Sequence, residues 1–166
     1  MKPARPPAIT LEPIEGDLKR AIAALLEDRP LRAALYGGRG NVAEAHAIAA
    51  WCGARAPGSL RLAARCPELG QVVGAIGLVG DELSYFIARP RWSSGFGSAM
   101  LGALLRPRGE ASAARRLFAR VARENVASRR LLDAAGFAER GLEVRPGGLP
   151  PGIRYERLAP PWRGDL

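Results

Sequence analysis

From Pro90 to Met100 the chain reads Pro-Arg-Trp-Ser-Ser-Gly-Phe-Gly-Ser-Ala-Met, with glycine at 95 and 97 and serine at 93, 94 and 98. A strand-like run, Leu83 to Ala88, precedes this joint, and a helical pattern follows it. A helix N-terminus presents unpaired backbone N–H groups and a partial positive charge. Such an end can hold an anion with backbone alone. Glycines at 95 and 97 would let a bulky diphosphate approach the chain, and the serines would add hydroxyl donors. The spacing is not that of the Gly-x-x-x-x-Gly-Lys loop, because no lysine follows, nor of Gly-x-Gly-x-x-Gly, because position 100 is Met100. On spacing alone a phosphate cradle and a plain tight turn both stay open. His46, the single histidine, lies in an Ala-rich helical stretch with no carboxylate or nucleophile pattern beside it. It reads as structural. Cys52 and Cys66 have neither zinc-ligand nor disulfide-framework spacing and read as structural thiols.

The elements around the joint can be read from periodicity and punctuation. Ile9 to Ile14 alternates as a first strand. Asp17 is a plausible N-cap for a helix with Leu18, Ile22, Leu25 and Leu26 on one face. Asp28-Arg29-Pro30 interrupts it. Leu35 to Gly40 is a loop, and Asn41 with Glu44 resembles a capping box opening a helix that ends near Gly53. Leu60–Arg65, Gln71–Val79 and Leu83–Ala88 are strand-like runs joined by short turns, which predicts an antiparallel meander. Gly74 and Gly77 within it point to a bulge or a close backbone approach. After the joint, Phe96, Ala99, Met100, Ala103 and Leu104 share a helix face, and Arg106-Pro107 ends that helix. Arg116–Ala122 is a strand and Ala127–Ala135 a short helix with Gly136 just past its end. Two more strands, near Ala138–Arg145 and Ile153–Leu158, close the order. Strand, two helices, three strands, helix, strand, helix and two strands make a mixed α/β sheet with helices on its faces.

The length of 166 residues suits one domain, with residues 1–8 as a poorly ordered lead-in and 9–160 as the folded unit. With 48% hydrophobic and 25% charged residues the chain is of the globular class. No apolar run is long enough to span a bilayer and the first residues lack a signal-peptide core, so the expectation is a cytoplasmic protein. The net charge is +9, almost all from arginine, since Lys2 and Lys19 are the only lysines. Residues 89–130 carry ten arginines against Glu110 and Glu124. That basic balance favours an anionic partner. No interleaved aromatic and basic pattern of the base-stacking kind is present, so nucleic acid is possible but not favoured.

A second stretch follows at residues 123–137, Arg-Glu-Asn-Val-Ala-Ser-Arg-Arg-Leu-Leu-Asp-Ala-Ala-Gly-Phe. Together the two stretches resemble the GNAT superfamily of acyl-CoA-dependent N-acyltransferases. Trp92-Ser93-Ser94-Gly95-Phe96-Gly97 is similar to that family's acyl-CoA motif. Tryptophan in the lead position is typical of the branch that includes the ribosomal-protein alanine N-acetyltransferases. Asn125, Ser128, Leu132, Gly136 and Phe137 match that branch's second signature. The resemblance covers Ile9 to Leu158.

It implies a mixed, mostly antiparallel sheet with splayed fourth and fifth strands, helices on both faces, and acetyl-CoA as acyl donor without a metal. Tyr85, Phe86 and Ile87 would run along the pantetheine arm. Trp92 and the N–H groups of Ser93, Ser94, Gly95, Phe96, Gly97 and Ser98 would hold the diphosphate. Arg89, Arg91 and Arg129 would flank it, and Asn125 would bond the arm while capping the helix after it. Many relatives place a tyrosine seven residues after the asparagine to assist the departing thiolate. Leu132 stands there in this chain, and the branch assigns the role to the residue matching Ser128. Glu82 is the first candidate base and Glu143 the second. Glu139 lies one place before the glutamate of many relatives, where Arg140 stands. Arg89 stands where relatives often have proline, with Pro90 after it. The implied reaction is direct transfer of acetyl to a primary amine, of a protein N-terminus or a small molecule, by a monomer or homodimer. Transfer to aminoacylated RNA, or a non-catalytic CoA-binding module, are the alternatives. The acceptor pocket would lie between Leu35–Trp51 and Pro146–Gly152, neither of which carries a readable motif.

Overall fold

A computed structural model describes residues 6–36, 43–53, 57–106, 115–145 and 150–159. The elements run β1 (Thr10–Pro13), α1 (Asp17–Leu26), α2 (Arg29–Leu35), α3 (Glu44–Cys52), β2 (Ser59–Cys66), β3 (Gln71–Val79), β4 (Glu82–Ile87), α4 (Phe96–Leu105), β5 (Arg115–Ala122), α5 (Val126–Ala134), β6 (Ala138–Glu143) and β7 (Gly152–Ala159). Single 3-10 turns at Pro67–Leu69 and Arg89–Arg91 sit between strands and before α4.

Three helices precede the meander where two are expected. The Asp28 carboxylate accepts the Leu31 N–H at 3.0 Å, and Pro30 occupies the first turn that follows. A proline there loses no intrahelical bond, so the break also starts a helix. Gly16, with φ of 49°, takes the N-cap of α1 instead of Asp17. Asp17 is the first helical residue, where its charge favours the dipole and pairs with Arg20. Ala43 sits at the N-cap of α3 without a side-chain cap; Asn41, expected there, lies outside the described residues. Gly53 ends α3 as expected.

The strands form one seven-stranded sheet ordered β1-β2-β3-β4-β5-β7-β6. Every neighbouring pair is antiparallel except β4 and β5, which run parallel and share one register pair, Glu82 with Phe118. Beyond that pair the two strands part, opening a gap along Ser84–Ile87. The glycines of β3 mark both expected features. The β2–β3 register shifts between Ala64 and Arg65, opposite Gly74. A Cβ on Gly74 would stand 2.2 Å from the Phe86 carbonyl oxygen, and one on Gly77 would stand 2.8 Å from that of Leu60.

Alternation along the strands divides the core. Leu62, Ile76, Met100, Leu132 and Tyr155 belong to the layer beneath α4 and α5. Ala63, Ala75 and Phe86 face the other way and pack with Ile22, Leu26, Ala47 and Trp51 of α1 and α3. Helices thus cover both faces of the β1–β4 half. The corresponding face of β5, β7 and β6 carries an ion-pair lattice instead. Arg120 joins Glu82 at 2.8 Å and Glu143 at 3.2 Å, Arg154 joins Glu143 at 3.1 Å and Glu156 at 2.7 Å, and Arg116 and Arg140 each reach Glu156 at 3.4 Å. Hydrogen bonds from Arg120 and Arg154 hold the Glu143 carboxyl below the usual carboxylate range.

Candidate active site

The joint between β4 and α4 has the geometry of an anion cradle. Gly95 is the N-cap of α4 with φ of 81°, and Ser93 takes φ of 59°, so the loop turns twice through the left-handed region. Glycine meets that demand at 95 without cost, whereas Ser93 is strained. No side chain caps α4, which leaves its first N–H groups free of side-chain acceptors. The Trp92 indole donates to the Ile87 carbonyl at 2.8 Å and ties the loop to the end of β4. A Cβ on Gly97 would meet Leu131 Cδ2 at 2.8 Å, so this glycine lets α4 pack close to α5. Pro7, from the stretch expected as lead-in, lies beside Gly95.

A cleft of about 540 Å³ runs from this loop into the β4–β5 gap. Tyr85, Phe86, Ile87, Trp92, Ser93, Gly95, Phe96, Gly97, Ser98 and Asn125 all line it. Three residues expected there, Ser94, Arg129 and Arg89, do not. Ser94 turns its hydroxyl back onto the Trp92 carbonyl at 3.2 Å. Arg129 points to the far side of α5, where it donates to Tyr155 Oη at 3.3 Å and pairs with Glu139 at 3.5 Å. One residue further round the helix, Arg130 lines the cleft in its place, with Arg91 from the loop side. Arg89 is drawn to Asp28 at 2.8 Å. The Phe86 ring packs edge-on against Trp51, with centroids 4.9 Å apart.

The cleft has the features an acyl-CoA donor needs. It has a free helix N-terminus in a backbone-lined turn, two guanidinium groups beside it, and a long apolar gap between strands. Its residues fit that group.

A second cavity, of about 360 Å³, lies on the other side of the gap. Tyr36, Trp51, Arg61, Glu82, Arg120 and Arg145 are among its walls. The two spaces share Ala34, Leu35, Tyr85, Asn125 and Ser128. At that meeting point Asn125 caps α5, its Oδ1 accepting the Ser128 N–H at 3.1 Å. Past the helix end Gly136 takes φ of 80°, and the Phe137 N–H reaches the Leu132 carbonyl at 3.0 Å. Both ends of α5 are therefore fixed, and with them the position of Ser128. The Tyr85 hydroxyl faces the Ser128 carbonyl at 3.5 Å, beyond ordinary hydrogen-bond length. Burial pushes the Tyr85 phenol up to about 12, so it stays a proton donor at neutral pH.

Of the expected acids only Glu82 reaches either space. Glu143 is enclosed by Arg120 and Arg154, and Glu139 by Arg129 and Tyr155. His46 is exposed, with its ring edge-on to Tyr36 and the centroids 6.2 Å apart. Among the described residues no group of three or more His, Cys, Asp or Glu could hold a metal. No described helix is long and apolar enough to cross a membrane. Sequence reasoning passed over Arg61, Arg120, Arg130 and Arg145. The one available signal was an arginine in the middle of the apolar run Arg116–Ala122.

The Acetyltransferase (GNAT) domain matches residues 8–138, and the chain belongs to that family. It is an acyltransferase of mixed α/β architecture. No curated protein matches it in sequence. Solved structures share the fold. Spermidine N-acetyltransferase from Vibrio cholerae, in complex with CoA and spermine, is 18% identical with a TM-score of 0.67, over 91% of this chain and 95% of that one. RimJ from Mycobacterium smegmatis, in complex with CoA-disulfide, is 18% identical with a TM-score of 0.65, over 91% and 82%. The ribosomal L7/L12 alpha-N-protein acetyltransferase RimL, in complex with coenzyme A, is 13% identical with a TM-score of 0.64, over 92% and 94%.

Proposed function

We propose that this chain transfers an acetyl group from acetyl-CoA to a primary amine. One observation carries the reading: the cleft at the α4 N-terminus and a second cavity, walled in part by Glu82 and three arginines, meet at Tyr85, Asn125 and Ser128. Two substrates approaching from opposite sides would touch there. Bound acetyl-CoA supplies a thioester; a nitrogen–carbon bond forms, the carbon–sulfur bond breaks with its electrons on sulfur, the nitrogen loses a proton and the sulfur gains one.

The chain's residues divide that work. The α4 N-terminus, with Arg91 and Arg130, holds the diphosphate. The unpaired edge of β4 and the Asn125 amide hold the arm. The Ser128 hydroxyl, with Tyr85 behind it, donates toward the sulfur. Glu82 at the mouth of the gap takes the amine proton, directly or through a water. Its Arg120 partner, 2.8 Å away, fixes the carboxylate in place. Trp92 and the Asn125–Phe137 signature favour the branch that includes ribosomal-protein N-acetyltransferases. The neighbours named above act on polyamine as well as protein, so the acceptor rests on the cavity and not on kinship. Single-turnover measurement of thiol release with Ser128→Ala tests the assignment. The expected result is a fall in the chemical rate of roughly 100-fold with acetyl-CoA binding retained. A rate equal to wild type would remove Ser128 from the mechanism.

A further inference from the structure

Three guanidinium groups and one carboxylate line the second cavity. Arg120 is committed to Glu82 and Glu143. Arg61 donates to the carbonyls of Leu60 at 3.0 Å and Leu78 at 3.3 Å and lies over Trp51, 5.1 Å from the ring. Among the described residues no carboxylate pairs with it. Arg145 is the unusual one. It is only 7% exposed, the one charged side chain buried among the described residues, and its Nη1 has no hydrogen-bond partner. Burial pushes its guanidinium down from the usual arginine value, with Arg120 acting in the same direction through space and Glu82 and Glu124 opposing. Burying a charge without a partner is costly, and each such group calls for an explanation. The cavity wall also opposes a polycation, since three positive groups face one negative group.

We propose that the acceptor amine also carries a carboxylate, as a free amino acid does, and that Arg145 receives this carboxylate. The inference deepens, and rests on, the acetyl-transfer reading of the same site. A zwitterion complements this wall: its carboxylate completes Arg145 and its amine lies toward Glu82 and Ser128. The positive surroundings also favour the uncharged, nucleophilic form of that amine. Leu35, Leu83 and the Trp51 ring provide an apolar wall for an apolar or aromatic side chain.

Matched acceptors test this with the full chain and acetyl-CoA, following thiol release. L-phenylalanine is set against phenethylamine, L-leucine against isoamylamine, and spermidine is added as polycation. The amino acids are expected to exceed their decarboxylated partners in kcat/KM by roughly 100-fold, the scale of a hydrogen bond to a charged group. Arg145→Met should collapse that preference by raising KM for the amino acid, and Arg145→Lys should keep part of it. Arg145→Met should also melt no lower than wild type, because no protein contact of Nη1 is lost. A large fall in melting temperature would mark the arginine as structural and overturn the assignment. Equal use of amino acid and amine, or preference for spermidine, overturns the inference from wild-type data alone and leaves acetyl transfer standing. Acetyl-CoA binding with no acceptor used also overturns it. Absence of acetyl-CoA binding overturns instead the transferase reading beneath it.

Discussion

Gly97 offers a sharp test of how the donor cleft is built. A Cβ at this position would stand 2.8 Å from Leu131 Cδ2 and 3.6 Å from Cδ1, and both belong to the movable end of a side chain. Gly97→Ala therefore forces Leu131 off its rotamer, at a cost of about 0.5–1.5 kcal/mol. Against this, alanine in place of glycine in a helix returns up to about 1 kcal/mol. The two effects nearly cancel, so the melting temperature should shift by less than about 4 °C. Binding should not escape so lightly. Leu131 lines the cleft, and the added methyl lies beside the N–H groups assigned to the diphosphate. Acetyl-CoA affinity should fall at least tenfold, about 1.4 kcal/mol. Calorimetric titration of Gly97→Ala, Leu131→Ala and the double variant completes a cycle, with a coupling of about 1 kcal/mol or more expected as the smaller side chain relieves the clash. If Gly97→Ala binds like wild type, or the loss persists in full in the double variant, the close packing of α4 on α5 is not what the glycine is for.

Two further outcomes follow from the same geometry. Asn125→Ala removes the cap that accepts the Ser128 N–H, which should cost about 1 kcal/mol and, in a chain of this size, lower the melting temperature by about 2–4 °C; an unchanged melting temperature would separate the capping bond from stability. Glu143 and Glu156 are held below their ordinary value of 4.5, by hydrogen bonds from Arg120 and Arg154 respectively before other causes, so both contribute stability that is complete above that value and lost as pH falls through the lower folded values. Denaturant melts at falling pH should show that loss, and Glu143→Gln should make it shallower; equal slopes in the two proteins would refute the lattice's role.

The sequence was most readable where local chemistry decides structure. The α5 segment shows this best, with an asparagine at its start, a glycine just past its end and Leu132 on its buried face. The meander, the Gly74 close approach and the start of α4 at the glycine joint follow the same logic. Reading was weaker where a choice depended on neighbours in space. Asp17 and Gly16 are adjacent, and only the backbone at Gly16, in the left-handed region, gives it the cap. Pro30 reads equally as the end of one helix and the first turn of the next. Arg129 and Arg130 differ by one step of about 100° around α5, and the Tyr155–Glu139 pair, remote in sequence, draws the first away from the cleft. Among the described arginines between 89 and 130, Arg89, Arg115, Arg116, Arg120 and Arg129 pair with carboxylates. The local excess of charge in that stretch therefore overstates the free positive surface. Arg145 was invisible as a site residue because its meaning lies in one buried nitrogen, Nη1, left without a hydrogen-bond partner, which periodicity cannot register.

In the proposed function the β4–α4 joint and the gap beside it hold acetyl-CoA. Hydrogen exchange of the full chain, followed residue by residue with and without acetyl-CoA, addresses it most directly. Slowed exchange is expected at the amides of Ser93–Ser98 and along Ser84–Ile87, with little change in β1 or β6. Unchanged exchange at the joint under saturating acetyl-CoA, or protection confined to another part of the molecule, would contradict it.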